Sequence, residues 1–169
     1  MLGSSRPRES EPEYEAARRL GGEIVRRGAG VICGGYGGVM EAACRGASEA
    51  GGEAVGVLLA GGGDPNRWVT RRIVASDLPE RLRILRDEPE AWIVLPRGLG
   101  TMLELVFIAE SIVKGTAPAR PLVLLGAFWE GTLATALSEA AGPGSRALEA
   151  SIRRASGAAE AVALVRGSS

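Results

Sequence analysis

Histidine is absent from the 169-residue sequence, and lysine occurs once, as Lys114, against 19 arginines. The first absence removes imidazole acid–base chemistry, Ser-His triads and histidine-ligated metals. The second leaves a Schiff-base or pyridoxal mechanism one candidate, Lys114. That residue stands beside Gly115 at the end of an apolar helical pattern, where a cation complements the helix dipole. Aromatic residues make up 4% of the chain and formal net charge is zero, so neither a stacking platform nor a basic groove for nucleic acid is encoded. No apolar run approaches the ~20 residues that span a bilayer, and no signal-peptide pattern opens the chain, so no membrane partner is expected. Cysteine occurs twice, as Cys33 and Cys44, which fits packing residues in a reducing cytoplasm better than a disulfide framework.

What is present is an alternation of short apolar runs and helical segments, the pattern of βαβ units with a parallel sheet. Ser10 reads as a helix cap with Glu13 three residues on. Tyr14, Ala17, Leu20, Ile24 and Val25 then recur at helical spacing before Gly28. Strands are expected at Val31–Cys33, Ala54–Leu59, Trp92–Leu95 and Leu122–Leu125. Helices are expected at 39–50, 78–86, 101–113, 129–140 and 158–165, with 61–66 a flexible loop and 142–145 a linker. The expectation is one domain over residues 1–169, a Rossmann-like, doubly wound parallel sheet with helices on both faces. A strand should precede the first helix, yet only Met1 and Leu2 stand before Gly3. Either that strand is very short or it begins upstream.

Two strands run into glycine-rich turns that open helices, "VICGGYGGVMEAA" and "VLPRGLGTMLE". Such turns let bare N–H groups approach an anion where the helix dipole adds roughly half a positive charge. Gly3-Ser4-Ser5-Arg6 would form another turn on the same edge, the first of the three in chain order, with hydroxyls and a guanidinium suited to phosphate. Glu104 has two readings. It closes a capping box with Thr101, or it faces a ligand. Arg81 is likewise either a solvated charge or part of a site.

The segments "GSS", "EYEAARRLGGEIVRRGAGVICGG", "GGVMEAA", "PERL" and "PRGLGTMLE" resemble, in order and spacing, the LOG family over nearly the whole chain. Members of that family were long mislabelled lysine decarboxylases. Its characterised enzymes are cytokinin-activating nucleoside 5′-monophosphate phosphoribohydrolases. Pro96, Gly98, Gly100, Thr101 and Glu104 match its Pro-Gly-Gly-x-Gly-Thr-x-x-Glu hallmark. Gly34, Gly35, Gly38 and Met40 match its second glycine turn, and Glu80 and Arg81 match the helix motif that supplies its catalytic arginine. Arg97 replaces a hallmark glycine, Cys33 a turn glycine, Glu41 a small residue and Leu82 a lysine.

The resemblance implies cleavage of an N-glycosidic bond, releasing free base and ribose 5-phosphate. Glu104 would stabilise positive charge on the ribose and orient water, with Arg81 on the ribose hydroxyls or departing base. Gly3, Ser4, Ser5, Gly34, Gly35, Gly38, Met40, Gly98, Gly100 and Thr101 would hold the 5′-phosphate. Arg97 would either add charge to that phosphate or block the site. No cofactor and no metal is expected, and the family implies a homodimer. The alternative is a non-catalytic binder of a phosphorylated, nucleotide-like ligand, as in the nearby branch exemplified by the molybdenum cofactor carrier protein.

Overall fold

Six short strands, all parallel, carry the architecture in the computed structural model, which describes residues 1–137 and 142–165. The chain runs α1 (Pro12–Arg26), β1 (Val31–Cys33), α2 (Val39–Glu49), β2 (Ala54–Leu59), β3 (Arg71–Ala75), α3 (Leu78–Asp87), β4 (Trp92–Val94) and α4 (Leu99–Val113). It continues through β5 (Leu122–Leu125), α5 (Glu130–Leu137), α6 (Pro143–Ser151), β6 (Ile152–Ala155) and α7 (Ala158–Val165). The ladders are β1-β2-β3 and β4-β5-β6.

Residues 1–2 join the two ladders. Leu2 bridges Val94 in parallel, donating to the Ile93 carbonyl and accepting from the Leu95 amide, both at 2.9 Å, while the Met1 ammonium donates to the Ile32 carbonyl. The strand expected before the first helix is therefore a single bridge between β1 and β4. Strand order reverses at this point, where open α/β sheets bind ligands beyond the carboxyl ends of their strands.

Alternation along β4 and β5 divides the core. Ile93, Leu95, Val123 and Leu125 point to one face with Tyr14, Leu20, Ala43 and Val162, from α1, α2 and α7. Trp92, Val94, Leu122 and Leu124 point to the other with Leu105, Ile108, Leu133 and Leu148, from α4, α5 and α6. The buried indoles donate their N–H groups, Trp92 to the Leu85 carbonyl and Trp129 to that of Leu95. Helices α1 and α2 pack backbone to backbone because Gly46 lies against Arg18, where a Cβ would stand 1.8 Å from the carbonyl oxygen.

Several expectations are corrected. Helix α1 starts at Pro12, whose fixed φ suits a first helical position, with Glu11 as its cap residue. Ser10 makes no cap and takes a φ of 78°. Helix α4 starts at Leu99 rather than Thr101. The stretch 142–145 is no linker, since Pro143 opens α6 and Gly144 packs against the Val113 carbonyl. Strands β3 and β6 carry exposed arginines on the two sheet edges and were not foreseen. Of the helix expected over 129–140, Glu130–Leu137 is observed and 138–141 lie outside the described residues.

Candidate functional site

The three glycine turns meet above the carboxyl ends of residues 1–2, β1 and β4. Gly38, at φ 67°, lies so close to the first turn that a Cβ would stand 2.5 Å from the Ser4 carbonyl oxygen and 2.4 Å from the Ser5 carbonyl carbon. Val39 donates its N–H to that Ser4 oxygen at 2.9 Å, and its side chain fills the space above Gly3. Gly98, at φ 101°, faces Ser4 from the third turn. Only glycine occupies both positions without strain, because both combine positive φ with a close backbone approach.

Helix α4 opens into this cradle with Gly98 as its cap residue and no side-chain cap bond. The N–H groups of Leu99, Gly100 and Thr101 begin the helix and so have no partner in an earlier turn. Nothing stands within 4 Å of a Cβ placed on Gly100. The Thr101 hydroxyl is the most informative atom here. Thr101 is 2 % exposed, and its Oγ1 has no hydrogen-bond partner. A buried hydroxyl without a partner costs roughly 1–3 kcal/mol. This one lies beside Gly98, where a Cβ would stand 2.9 Å from it, in the first turn of a helix, the part of a helix that binds anions.

Arg81 reaches over the second turn from α3. Its Nε donates to the Val57 carbonyl at 2.9 Å, its Nη1 stands 3.6 Å from Glu104 Oε1, and its guanidinium lies 5.7 Å from the Tyr36 ring centre. A Cβ on Gly34 would stand 2.1 Å from Arg81 Nη2 and 2.7 Å from Met40 Sδ, so Gly34 makes room for both side chains. Glu104 is 8 % exposed. Burial pushes its carboxyl above the usual carboxylate range, opposed by the Arg81 guanidinium and then the Met1 ammonium. The capping-box reading of Glu104 fails on geometry. Thr101 is the third residue of α4, so Glu104 lies too far into the helix to reach back to its cap. Glu80 does the capping on α3 instead, accepting from the Ser76 N–H and hydroxyl at 2.6 Å while its own N–H goes to Asp77.

Arg97 departs from its expected place. It holds the left-handed backbone, φ 67°, that the family's glycine would occupy freely, and its side chain turns outward to Glu13 at 3.5 Å, 67 % exposed. Leu82 is buried in the α3 packing and offers no charge. Lys114 is exposed and pairs with Glu110 one helical turn away, far from the cradle along α4.

Asn66 and Tyr36 went unread as site residues in the sequence, and Cys33 was read only as a packing residue in place of a turn glycine. Asn66 clamps the second turn to the β2–β3 loop, donating from Nδ2 to the Gly35 and Tyr36 carbonyls at 3.0 and 2.9 Å. Tyr36 accepts from the Leu59 N–H at 3.0 Å and sets its ring beneath Arg81. Cys33 accepts from the Gly35 N–H and lies 3.4 Å from Cys44, both thiols free and buried. Only the Asp64-Pro65-Asn66 turn chemistry hinted at any of this. Among the described residues no group of three His, Cys, Asp or Glu side chains could hold a metal ion, and no helix is long and apolar enough to cross a membrane.

The SLOG cluster4 family model matches residues 1–133 of this chain. The chain belongs to that family. An uncharacterized protein of Archaeoglobus fulgidus is 34% identical over 115 residues, 68% of this chain and 76% of that protein. Among solved structures, the molybdenum cofactor carrier protein of Chlamydomonas reinhardtii superposes with a TM-score of 0.72 at 25% identity, covering 98% of this chain and 91% of that one. The molybdenum cofactor binding protein of Rippkaea orientalis gives 0.73 at 23% identity, covering 94% and 89%, a likeness of fold. Within this SLOG chain, the segment matched by the family model contains all three turns, Arg81 and Glu104.

Proposed function

We propose that this SLOG protein binds a phosphorylated, nucleotide-like ligand and holds it intact, as a carrier or binder. One observation carries the reading: the buried, unpartnered Thr101 hydroxyl beside the open N–H groups that start α4. A phosphate in the cradle would accept from the hydroxyl and from those amides together, which removes the penalty of the orphaned group. The likeness to the molybdenum cofactor carrier of Chlamydomonas supports this over turnover. A second reading, hydrolysis of a nucleoside 5′-monophosphate to base and ribose 5-phosphate, is favoured by the buried Glu104–Arg81 pair beside the cradle. There Glu104 would stabilise the developing ribose cation and Arg81 would orient the hydroxyls.

Native mass spectrometry of the purified protein, followed by incubation with a panel of nucleoside monophosphates, separates the readings. A bound phosphorylated compound with no free base released is the expected result. Release of base by the wild type, abolished in Glu104→Gln, would replace the carrier reading with the hydrolase. We further propose that two copies associate through α4. That helix exposes Leu99, Met102, Leu103 and Val106 in one stripe next to the cradle, at 84%, 37%, 43% and 45%. Leu103→Glu should turn a dimer into a monomer by light scattering. A wild type that is monomeric at micromolar concentration would remove this proposal. We also propose a cytoplasmic location, with which two free, buried cysteines are consistent.

A further inference from the structure

A slot of about 220 Å³ opens on the same edge of the sheet, beyond the carboxyl ends of β4, β5 and β6. Val39, Leu95 and Leu125 form its buried walls, with Ala16 and Pro96 beside them and Glu13 at its margin. The slot and the cradle are neighbours through shared residues. Val39 gives its N–H to the first glycine turn and its side chain to the slot. Pro96 lines the slot and leads directly into Arg97 and Gly98. The unusual backbone of Arg97 turns its guanidinium to Glu13, so the departure from the family's glycine places a planar cation at the slot's margin.

We propose that this slot receives the flat, weakly polar heterocyclic ring of the ligand whose phosphate sits in the cradle, a proposal that rests on the phosphate reading of that cradle. Pockets that bury a whole small ligand measure about 300–1,000 Å³. A slot of this size takes one ring system and leaves the rest of the ligand outside it. Its walls are apolar, as a ring face requires, and the charged groups stand only at its margin. Glu13 can accept from ring N–H groups, and the Arg97 guanidinium can lie against the ring face.

The placement bears on the choice between carrying and cleaving. Slot-lining Leu95 and Leu125 belong to the α1–α7 face and to the β4–β6 half of the sheet. Arg81 and Glu104 come from α3 and α4, and Arg81 rests on Gly34 and the Val57 carbonyl in the β1–β2 half. A ring seated in the slot lies across the cradle from Glu104, so its glycosidic bond is kept away from that carboxylate.

The test uses isothermal titration of the wild type and Ala16→Phe, which fills the slot, with guanosine 5′-monophosphate and ribose 5-phosphate. The expected result is that the wild type binds the nucleotide at least tenfold more tightly than the sugar phosphate. Ala16→Phe should erase that advantage while holding ribose 5-phosphate within twofold. Equal affinity for the two probes in the wild type, or an advantage that survives Ala16→Phe, overturns the slot while leaving the cradle standing. No binding of ribose 5-phosphate by the wild type shows that the cradle has failed, and the slot proposal falls with it. Should Ala16→Phe not fold, methyl-labelled wild type decides. The nucleotide, unlike the sugar phosphate, should shift the Val39 and Leu125 methyls, and shifts confined to Met40 would put the ring on the Arg81 side instead.

Discussion

Replacing Thr101 by valine removes one hydroxyl and keeps the outline of the side chain. Thr101 is 2 % exposed, and its hydroxyl has no hydrogen-bond partner within the protein. Its removal relieves a desolvation penalty, so the free protein should become more stable by about 1 kcal/mol. For a chain of this size that raises Tm by roughly 2–4 °C. Ligand binding should move the opposite way. A hydrogen bond to a charged phosphate contributes about 1.5–3 kcal/mol, equivalent to roughly 10- to 150-fold in Kd. Thermal unfolding without ligand and calorimetric titration with ribose 5-phosphate read the two effects separately. A valine variant that is less stable and binds as tightly as wild type would refute the reasoning, because it would mean that the hydroxyl has a protein partner and no role toward a ligand.

Glu104→Gln should leave stability at neutral pH within about 1 kcal/mol, because burial of the Glu104 charge already outweighs the attraction of Arg81, and the amide oxygen still faces that guanidinium. The raised carboxyl of Glu104 makes a signed pH prediction. Its stabilising contribution is complete below the ordinary carboxylate pKa, about 4.3, and is lost as pH rises through the higher folded value. The Tm of wild type relative to the Gln variant should therefore increase on acidification from pH 7 towards 4, and a decrease would show that the pairing with Arg81 dominates instead. Arg97→Gly should leave ribose 5-phosphate affinity within about threefold, since the side chain points to Glu13. It should also hold or raise stability, because an arginine at φ 67° carries roughly 1–2 kcal/mol of backbone strain. A tenfold loss of affinity would show that the guanidinium swings over the cradle.

The parts of this structure that the sequence disclosed are those coded by local pattern. Val31–Cys33, Ala54–Leu59 and Leu122–Leu125 are continuous apolar runs, as strands buried on both faces must be. The glycine turns announced themselves because few other needs place so many glycines between a strand and a helix. Strands β3 and β6 stayed hidden. Arg71-Arg72 and Arg153-Arg154 leave too little apolar alternation to read, and an edge strand needs little. The first strand amounts to the Leu2 bridge, too short for any period to show. At the site, the types of Glu104 and Arg81 were visible but their meeting was not, because it depends on α3 and α4 lying side by side over Gly34. The direction of Arg97 and the orphaned Thr101 hydroxyl arise from tertiary placement alone, and the turn chemistry around Asn66 does not say which carbonyls it clamps.

Amide chemical shifts of uniformly labelled protein, followed during titration with ribose 5-phosphate, test the phosphate cradle most directly. The N–H groups of Leu99, Gly100 and Thr101 should move furthest, with Met40 at the start of α2 next, and the Ala17 and Leu148 amides should stay still. Saturable shifts elsewhere in the chain, with the start of α4 unmoved, would contradict the account.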